Sequence, residues 1–262
     1  RQRGMERTGR AQAIAALLLG ARRMGEAEPE VRQTRRGARL VQNGSVLSEV
    51  LAQPGATDSV FDVLAAAVCG FSPGVRVGIL GFAGGGLIAP LRAMGGNHKF
   101  SGVDLDRSGY ELFCDLSAEW MGEVQFAQLD AAEWLHSQRG KFDFLLEDLS
   151  VGRAGDVFKP DVSIDTLPQV IQSKLNPGGV AVFNLLPPDD RTWAEMMAKV
   201  CAPFGFGVQV LFESFYNRVV VLANEALPSA REVSRLLRDS LTAIGSEMAT
   251  DISVRSLRLA KR

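Results

Sequence analysis

Apolar positions along this chain change rhythm several times, and the changes divide it. Residues 1–37 hold no sustained period and read as a mobile, arginine-rich arm. Residues 38–70 read as a lead-in. Leu40, Val46 and Val50 flank Asn43-Gly44, a pair suited to a type I′ hairpin turn. A helix is then predicted from Asp58, a good amino-cap, with Val60, Phe61, Leu64 and Val68 on one face. From residue 71 to 225, short apolar runs alternate with amphipathic stretches. Strands are predicted over Val75–Leu80, Phe100–Leu105, Val124–Leu129, Phe142–Leu146, Val180–Leu186 and Val208–Phe212. Helices are expected between them over Leu87–Met94, Arg107–Glu119, Ala131–Gln138, Asp161–Leu175 and Trp193–Cys201. Such alternation implies an α/β domain of parallel strands joined by crossover helices. Asn217–Leu222 follows the sixth strand after only a short turn, so a seventh strand must run antiparallel. Residues 226–262 predict a terminal helix over Pro228–Ile244, through Val233, Leu236, Leu237 and Leu241, and a tail.

Composition narrows the class. Apolar residues are 46% and charged residues 23%, ordinary for a globular chain. A net charge of −1 removes the electrostatic motive for nucleic acid or an anionic membrane as partner, although ten arginines crowd the first 39 positions. Cys69, Cys114 and Cys201 are widely spaced without a CxxC, so neither a disulfide framework nor a metal site is expected, and a reducing, cytoplasmic setting is. The run Ala13–Leu19 is too short to span a bilayer.

Polar residues gather where the strands end, the edge at which open α/β sheets bind ligands. Strand one ends in Gly81-Phe82-Ala83-Gly84-Gly85-Gly86, strand two in Asp104-Leu105-Asp106, strand three in Asp130-Ala131, strand four in Glu147-Asp148 and strand five in Asn184. Glycines let backbone approach a ligand, and the helix start that follows offers N–H groups to a carboxylate. Asp104 can accept from ribose hydroxyls, and Asp130 from an adenine amine beside Ala131. Each residue has a plainer reading: a structural turn for the glycines, a helix amino-cap for Asp130, a solvated cap for Asp106. Their recurrence at matched strand ends favours a nucleoside site. Gly81-x-Ala83-x-x-Gly86 with Asp104 also fits a dinucleotide fingerprint. The late antiparallel strand argues against that reading. So do Tyr110 and Tyr216, which have no lysine four residues on, and the placing of His98 and His136 away from the ligand edge.

The segments Leu80-Gly-Phe-Ala-Gly-Gly-Gly, Gly102-Val-Asp-Leu-Asp, Leu129-Asp-Ala-Ala-Glu-Trp-Leu and Phe142-Asp-Phe-Leu-Leu-Glu-Asp resemble successive motifs of spermidine synthases and their class I S-adenosylmethionine-dependent methyltransferase relatives. The resemblance covers roughly residues 38–225. It implies a seven-stranded Rossmann-like sheet with a late antiparallel strand behind a small β-hairpin lead-in. The implied cofactor is S-adenosylmethionine, a nucleoside-sulfonium donor held by Gly81, Phe82, Ala83, Gly84, Gly85, Asp104, Leu105, Asp130 and Ala131. Polyamine synthases carry an aspartate inside the glycine loop; here there is none. Their Asp-Ser-Ser-Asp-Pro segment survives only as Asp148, with Val151 and Gly152 at the second acid and the proline. Their tyrosine, histidine or glutamine, and glutamate in the first helix fall at Phe61, Asp62 and Val63.

Leu175-Asn-Pro-Gly-Gly-Val-Ala-Val-Phe-Asn-Leu and Asn217-Arg-Val-Val-Val-Leu are closer to spermidine synthase-like methyltransferases, among them a domain that methylates a protein amino group. The expected activity is therefore methyl transfer to an amine, small or protein-borne. An altered aminopropyltransferase and a silent binding or dimerisation module are the alternatives. Asp148, Glu147 and Asn184 are the catalytic candidates, with Asp148 favoured and Glu147 left to brace a neighbour. Leu149–Pro160 is long enough to form a lid. The small hairpin should pack against something, and a homodimer is expected.

Overall fold

The computed structural model describes residues 29–42, 44–153 and 156–259. The arm over 1–28 and Asn43 of the expected turn lie outside them; Gly44, its second residue, has a φ of +82°. A three-stranded antiparallel sheet comes first: β1 (Glu30–Thr34), β2 (Gly37–Gln42) and β3 (Ser45–Leu51). The expected hairpin is thus present, and β1 adds a strand inside the span read as an arm. Helix α1 (Val60–Phe71) follows, capped by the Ser59 hydroxyl and not by Asp58.

The main sheet is built from β4 (Arg76–Leu80), β5 (Lys99–Asp104), β6 (Val124–Gln128), β7 (Phe142–Glu147), β10 (Leu175–Leu185), β11 (Phe206–Phe212), β12 (Arg218–Ala223) and β13 (Ile252–Ser256). Its order is β13-β11-β12-β10-β7-β4-β5-β6. Strands β6, β5, β4, β7 and β10 run parallel, and β12 inserts antiparallel between β10 and β11, as the short turn requires. The sheet has eight strands where seven are expected. The extra one, β13, pairs antiparallel with β11 and was read as tail because Ile252–Ser256 carries only two core-facing apolar residues, Ile252 and Val254.

Helices α2 (Ile88–Ala93), α3 (Ser108–Ser117), α4 (Ala131–Ser137), α5 (Asp161–Asp165), α6 (Leu167–Ser173), α7 (Trp193–Cys201), α8 (Ala230–Ala243) and α9 (Met248–Asp251) cover both faces. The single helix expected over Asp161–Leu175 is broken at Thr166, because Pro168 has no N–H to continue the ladder and sits instead in the first turn of α6. Alternation along the strands assigns the faces. Val77, Ile79, Phe144, Leu146, Val180 and Val182 pack with α1, α2, α3 and α8, while Leu80, Phe142, Leu145, Ala181 and Phe183 pack with α4, α5, α6 and α7.

Asp62, on α1, ties the lead-in to the end of the chain. Its carboxylate is fully buried and accepts from Thr57 N (2.8 Å), Thr57 Oγ1 (2.6 Å), Asp58 N (2.9 Å) and Ser246 Oγ (2.6 Å). Replacing it strands buried donors at about 1–3 kcal/mol each. Asp62→Ala is therefore expected to lower stability by about 3–5 kcal/mol in urea denaturation. A loss below about 1 kcal/mol would show that this hub does not hold the two ends together.

Candidate active site

The glycine turn after β4 is fixed by close approach. Gly81 has φ +85°, and a Cβ there would lie 2.7 Å from the Asp148 carbonyl oxygen. Ala83 takes a left-handed φ of +43° without being glycine, and Gly85 one of +63°. Gly81 N and Phe82 N both donate to Val103 O, at 3.0 and 3.1 Å, binding the turn to β5. Phe82, expected at the donor site, turns its ring into the core. It meets Tyr110, Phe113 and Phe126 edge-on, with centroids 5.7, 5.6 and 5.7 Å away. Only its backbone remains with the turn.

Asp104 ends β5 and holds that turn: Oδ2 accepts from Ala83 N at 2.8 Å, and Oδ1 from Asp106 N at 3.2 Å. Burial raises its carboxyl above the usual range, against the opposing pull of these backbone N–H groups. Leu105 beside it is 45% exposed, as is Leu129 after β6, so two bare leucines flank the edge between the acids. Asp130 caps α4 through Oδ1, which accepts from Ala132 N (2.9 Å) and Glu133 N (3.2 Å); Ala131 is buried behind it. The capping reading of Asp130 therefore holds, and it spends only one of its two oxygens.

Glu147 and Asp148 follow opposite fates because successive residues at a strand end point to opposite sides. Glu147 is wholly buried and pairs with Lys159, whose side chain is 2% exposed: Nζ lies 2.8 Å from Oε2 and 3.0 Å from Oε1. Oε1 also accepts from Ser163 Oγ (2.7 Å) and Leu149 N (3.0 Å). Lys159 donates further to Leu149 O at 2.7 Å. The structure therefore corrects the catalytic reading of Glu147: it clamps the segment after β7. The span expected as a lid is a short hairpin, β8 (Val151–Arg153) and β9 (Asp156–Phe158), whose return is anchored by Lys159.

Asp148 lies on the other side, partly exposed. Asn184 Nδ2 donates to its Oδ1 at 2.8 Å, and Asn217 Nδ2 donates to Asn184 Oδ1 at 3.1 Å. Burial pushes the Asp148 carboxyl up to about 7, with Lys159 and Asn184 pulling it down and the charges of Glu147 and Asp104 pushing it up. Asn217 and Lys159 were not foreseen. The first looked like the start of a strand, and the second is a lone lysine in a loop whose path no local pattern reveals. Among the described residues no cluster of three or more His, Cys, Asp or Glu could hold a metal ion, and no helix is long and apolar enough to cross a membrane.

Solved structures match this architecture. Human methyltransferase-like protein 13 in complex with SAH aligns with a TM-score of 0.53 at 17% identity, over 69% of this chain and 89% of that one. Spermidine synthase from Thermotoga maritima aligns with a TM-score of 0.54 at 13% identity, over 76% of this chain and 72% of that one. A spermidine synthase in complex with the transition state analogue AdoDATO aligns with a TM-score of 0.55 at 12% identity, over 85% and 78%. No protein-family model matches the sequence, and no curated protein matches it. The chain has the fold shared by class I methyltransferases and spermidine synthases.

The Glu147–Lys159 pair yields a direct test. Lys159→Met leaves Glu147 buried without its cation and should cost about 3–5 kcal/mol, whereas Glu147→Gln with Lys159→Met should recover part of that loss. Urea denaturation of the single and double variants checks it. Equal stability of the single variant and the parent would overturn the clamp.

Proposed function

We propose that this protein is an S-adenosylmethionine-dependent methyltransferase of spermidine synthase-like type, acting on an amine that is either small or carried by a protein. One observation carries the choice of methyl over aminopropyl transfer. A Cβ at Gly84 would lie 2.6 Å from Val50 Cγ2, one at Gly85 2.7 Å from Phe82 Cζ, and one at Gly86 3.0 Å from the Phe61 ring. The centre of the loop is packed under β3 and α1 and has no room for the carboxylate with which polyamine synthases grip the aminopropyl amine.

The residues present suit the intact donor. Ser48 Oγ is fully buried, lacks a hydrogen-bond partner among the described residues, and would sit 3.0 Å from a Cβ on either Gly84 or Gly86. It is an unspent hydroxyl packed against the inner side of the turn, and the backbone N–H groups at the start of the helix after it are left to a donor carboxylate. In this reading Asp104 receives the ribose and Asp130 the adenine, beside Leu105 and Ala131; the exposure of Leu105 and Leu129 at this edge supports an apolar surface for the ring. When bound, the donor supplies a methyl group activated by a sulfonium. Transfer needs positioning more than covalent help, worth up to about 7–11 kcal/mol in well-oriented systems.

The chain's own chemistry then centres on Asp148. The Asn217–Asn184 chain orients its carboxyl, and its raised pKa leaves it half-ionised near neutral pH, ready to accept a proton from an amine. Glu147, neutralised by Lys159, supplies no such function.

Calorimetry with ordinary and decarboxylated S-adenosylmethionine tests the donor. The ordinary form is expected to bind at least as well, and Asp104→Ala to weaken it by about 1.5–3 kcal/mol. Robust spermidine formation from putrescine would sink the methyl reading. The pH dependence of Asp148 can be read without knowing the acceptor. Its folded pKa of about 7 exceeds the unfolded value of 3.8, so its contribution to stability is full below about pH 4 and is lost as pH rises through about 7. Asp148→Asn should therefore gain stability relative to the parent between about pH 5 and pH 8, and should lose any rate inflection near pH 7. A stability difference flat with pH would remove the perturbed carboxyl.

A further inference from the structure

Among the described residues the main sheet ends at β13, whose outer edge has no strand beside it. Leu257 N donates inward to Gly207 O at 2.9 Å, so by alternation Ser253 and Arg255 also face β11, and the backbone groups of Ile252, Val254 and Ser256 face outward. The Ile252 carbonyl is already taken: Arg238 reaches from α8 to it at 2.5 Å and to Ala249 O at 2.8 Å. Val254 and Ser256 keep outward N–H and C=O groups that no strand among the described residues receives.

Beside this edge lies a groove of about 550 Å³, with Val254 on one side and the Ala230–Asp239 face of α8 on the other. That face presents Arg231, Arg235 and Arg238 against the single carboxylate of Asp239. Glu232, the other acid nearby, is committed to the helix cap: its Oε2 accepts from Ser229 N (2.9 Å) and Ser229 Oγ (2.7 Å). Arg231 and Arg235 are exposed, and among the described residues neither forms an ion pair. The two walls match in length. Ala230 to Asp239 spans about 14 Å at 1.5 Å per helical residue, and β13 about 14 Å at 3.4 Å per strand residue.

We propose that β13 and the arginine wall of α8 form a docking groove for an acidic extended segment of a partner protein, bound by strand addition. A groove between an edge strand and a helix supplies both requirements of this mode: main-chain hydrogen bonds from the free edge, and side-chain selectivity from the wall. The unpaired arginines select carboxylates, which they can hold with charge-assisted bonds. A second copy of this chain is the wrong occupant, because edge-to-edge pairing would bring two arginine walls to one joint. The inference stands apart from the methyl-transfer reading and survives its failure.

The probe is a fluorescein-labelled peptide of about six residues alternating glutamate with valine, titrated into the full chain and followed by anisotropy. Saturable binding is expected. It should weaken at least about tenfold in Arg231→Glu with Arg235→Glu, both exposed positions. Methylating alternate backbone nitrogens of the peptide should abolish binding without touching the protein. Hydrogen exchange at the Val254 and Ser256 amides should slow when the peptide binds. Absence of binding, indifference to peptide N-methylation, or equal displacement by a single-stranded RNA of the same charge would each overturn the proposal.

Discussion

Close backbone approach at the glycine turn is the constraint from which the rest of the edge follows. A Cβ on Gly81 would collide with the carbonyl that follows β7, and one on Gly109 would lie 2.2 Å from Ala83 O, where α3 begins. The exit of β7, the start of α3 and the turn itself can therefore meet only if those positions lack side chains. Val50 and Ser48 of β3 press on the same turn from above. The small amino-terminal sheet is in this way part of the site's wall and not an appendage. Asp104 locks the arrangement by taking the Ala83 N–H, so one carboxylate both shapes the turn and faces the ligand edge.

Two adjacent acids at the end of a buried strand become chemically different through what meets each side. Glu147 finds a lysine, a serine and a backbone N–H in the interior. A charge so paired and hydrogen-bonded persists where a lone one would not. Asp148 has one amide donor, and burial, helped by two neighbouring negative charges, raises its carboxyl to about 7. Lys159 acts on both, pairing with the first and drawing down the second. The loop from Leu149 to Pro160 therefore sets the electrostatics of the site through its last residues, whatever its tip does.

Much of this was legible in the sequence because it rests on periodicity and punctuation. The order of strands and helices followed from runs such as Val75–Leu80 and Phe142–Leu146, and the antiparallel β12 from the shortness of one turn. Ser59 took the cap expected of Asp58 because Asp58 adopts a left-handed φ of +54°, a conformation sequence pattern does not reveal. β13 escaped because five residues with only two core-facing apolar side chains carry too little alternation to stand out. The pairing of Glu147 with Lys159 and the chain Asn217–Asn184–Asp148 escaped for a different reason. Their members are 12, 33 and 36 residues apart, and only the tertiary path brings them together. Phe82 lies in the turn as expected, and the space opposite Gly102, where a Cβ would lie 2.3 Å from the ring, takes its side chain inward, which no local pattern reveals.

The fate of the carboxylates bears on the acceptor. Asp62, Glu147 and Asp148 stand at or beside positions where polyamine synthases carry recognition residues. In the fold Asp62 is spent on Thr57, Asp58 and Ser246, and Glu147 on Lys159 and Ser163. Asp148 is held by the Asn184 amide alone, and its carboxyl is half-protonated near neutrality. Stripping water from a dication requires several fixed negative charges in return. One titrating carboxyl is at most a single charge, which under the proposed reading favours one amine nitrogen over a dication as acceptor.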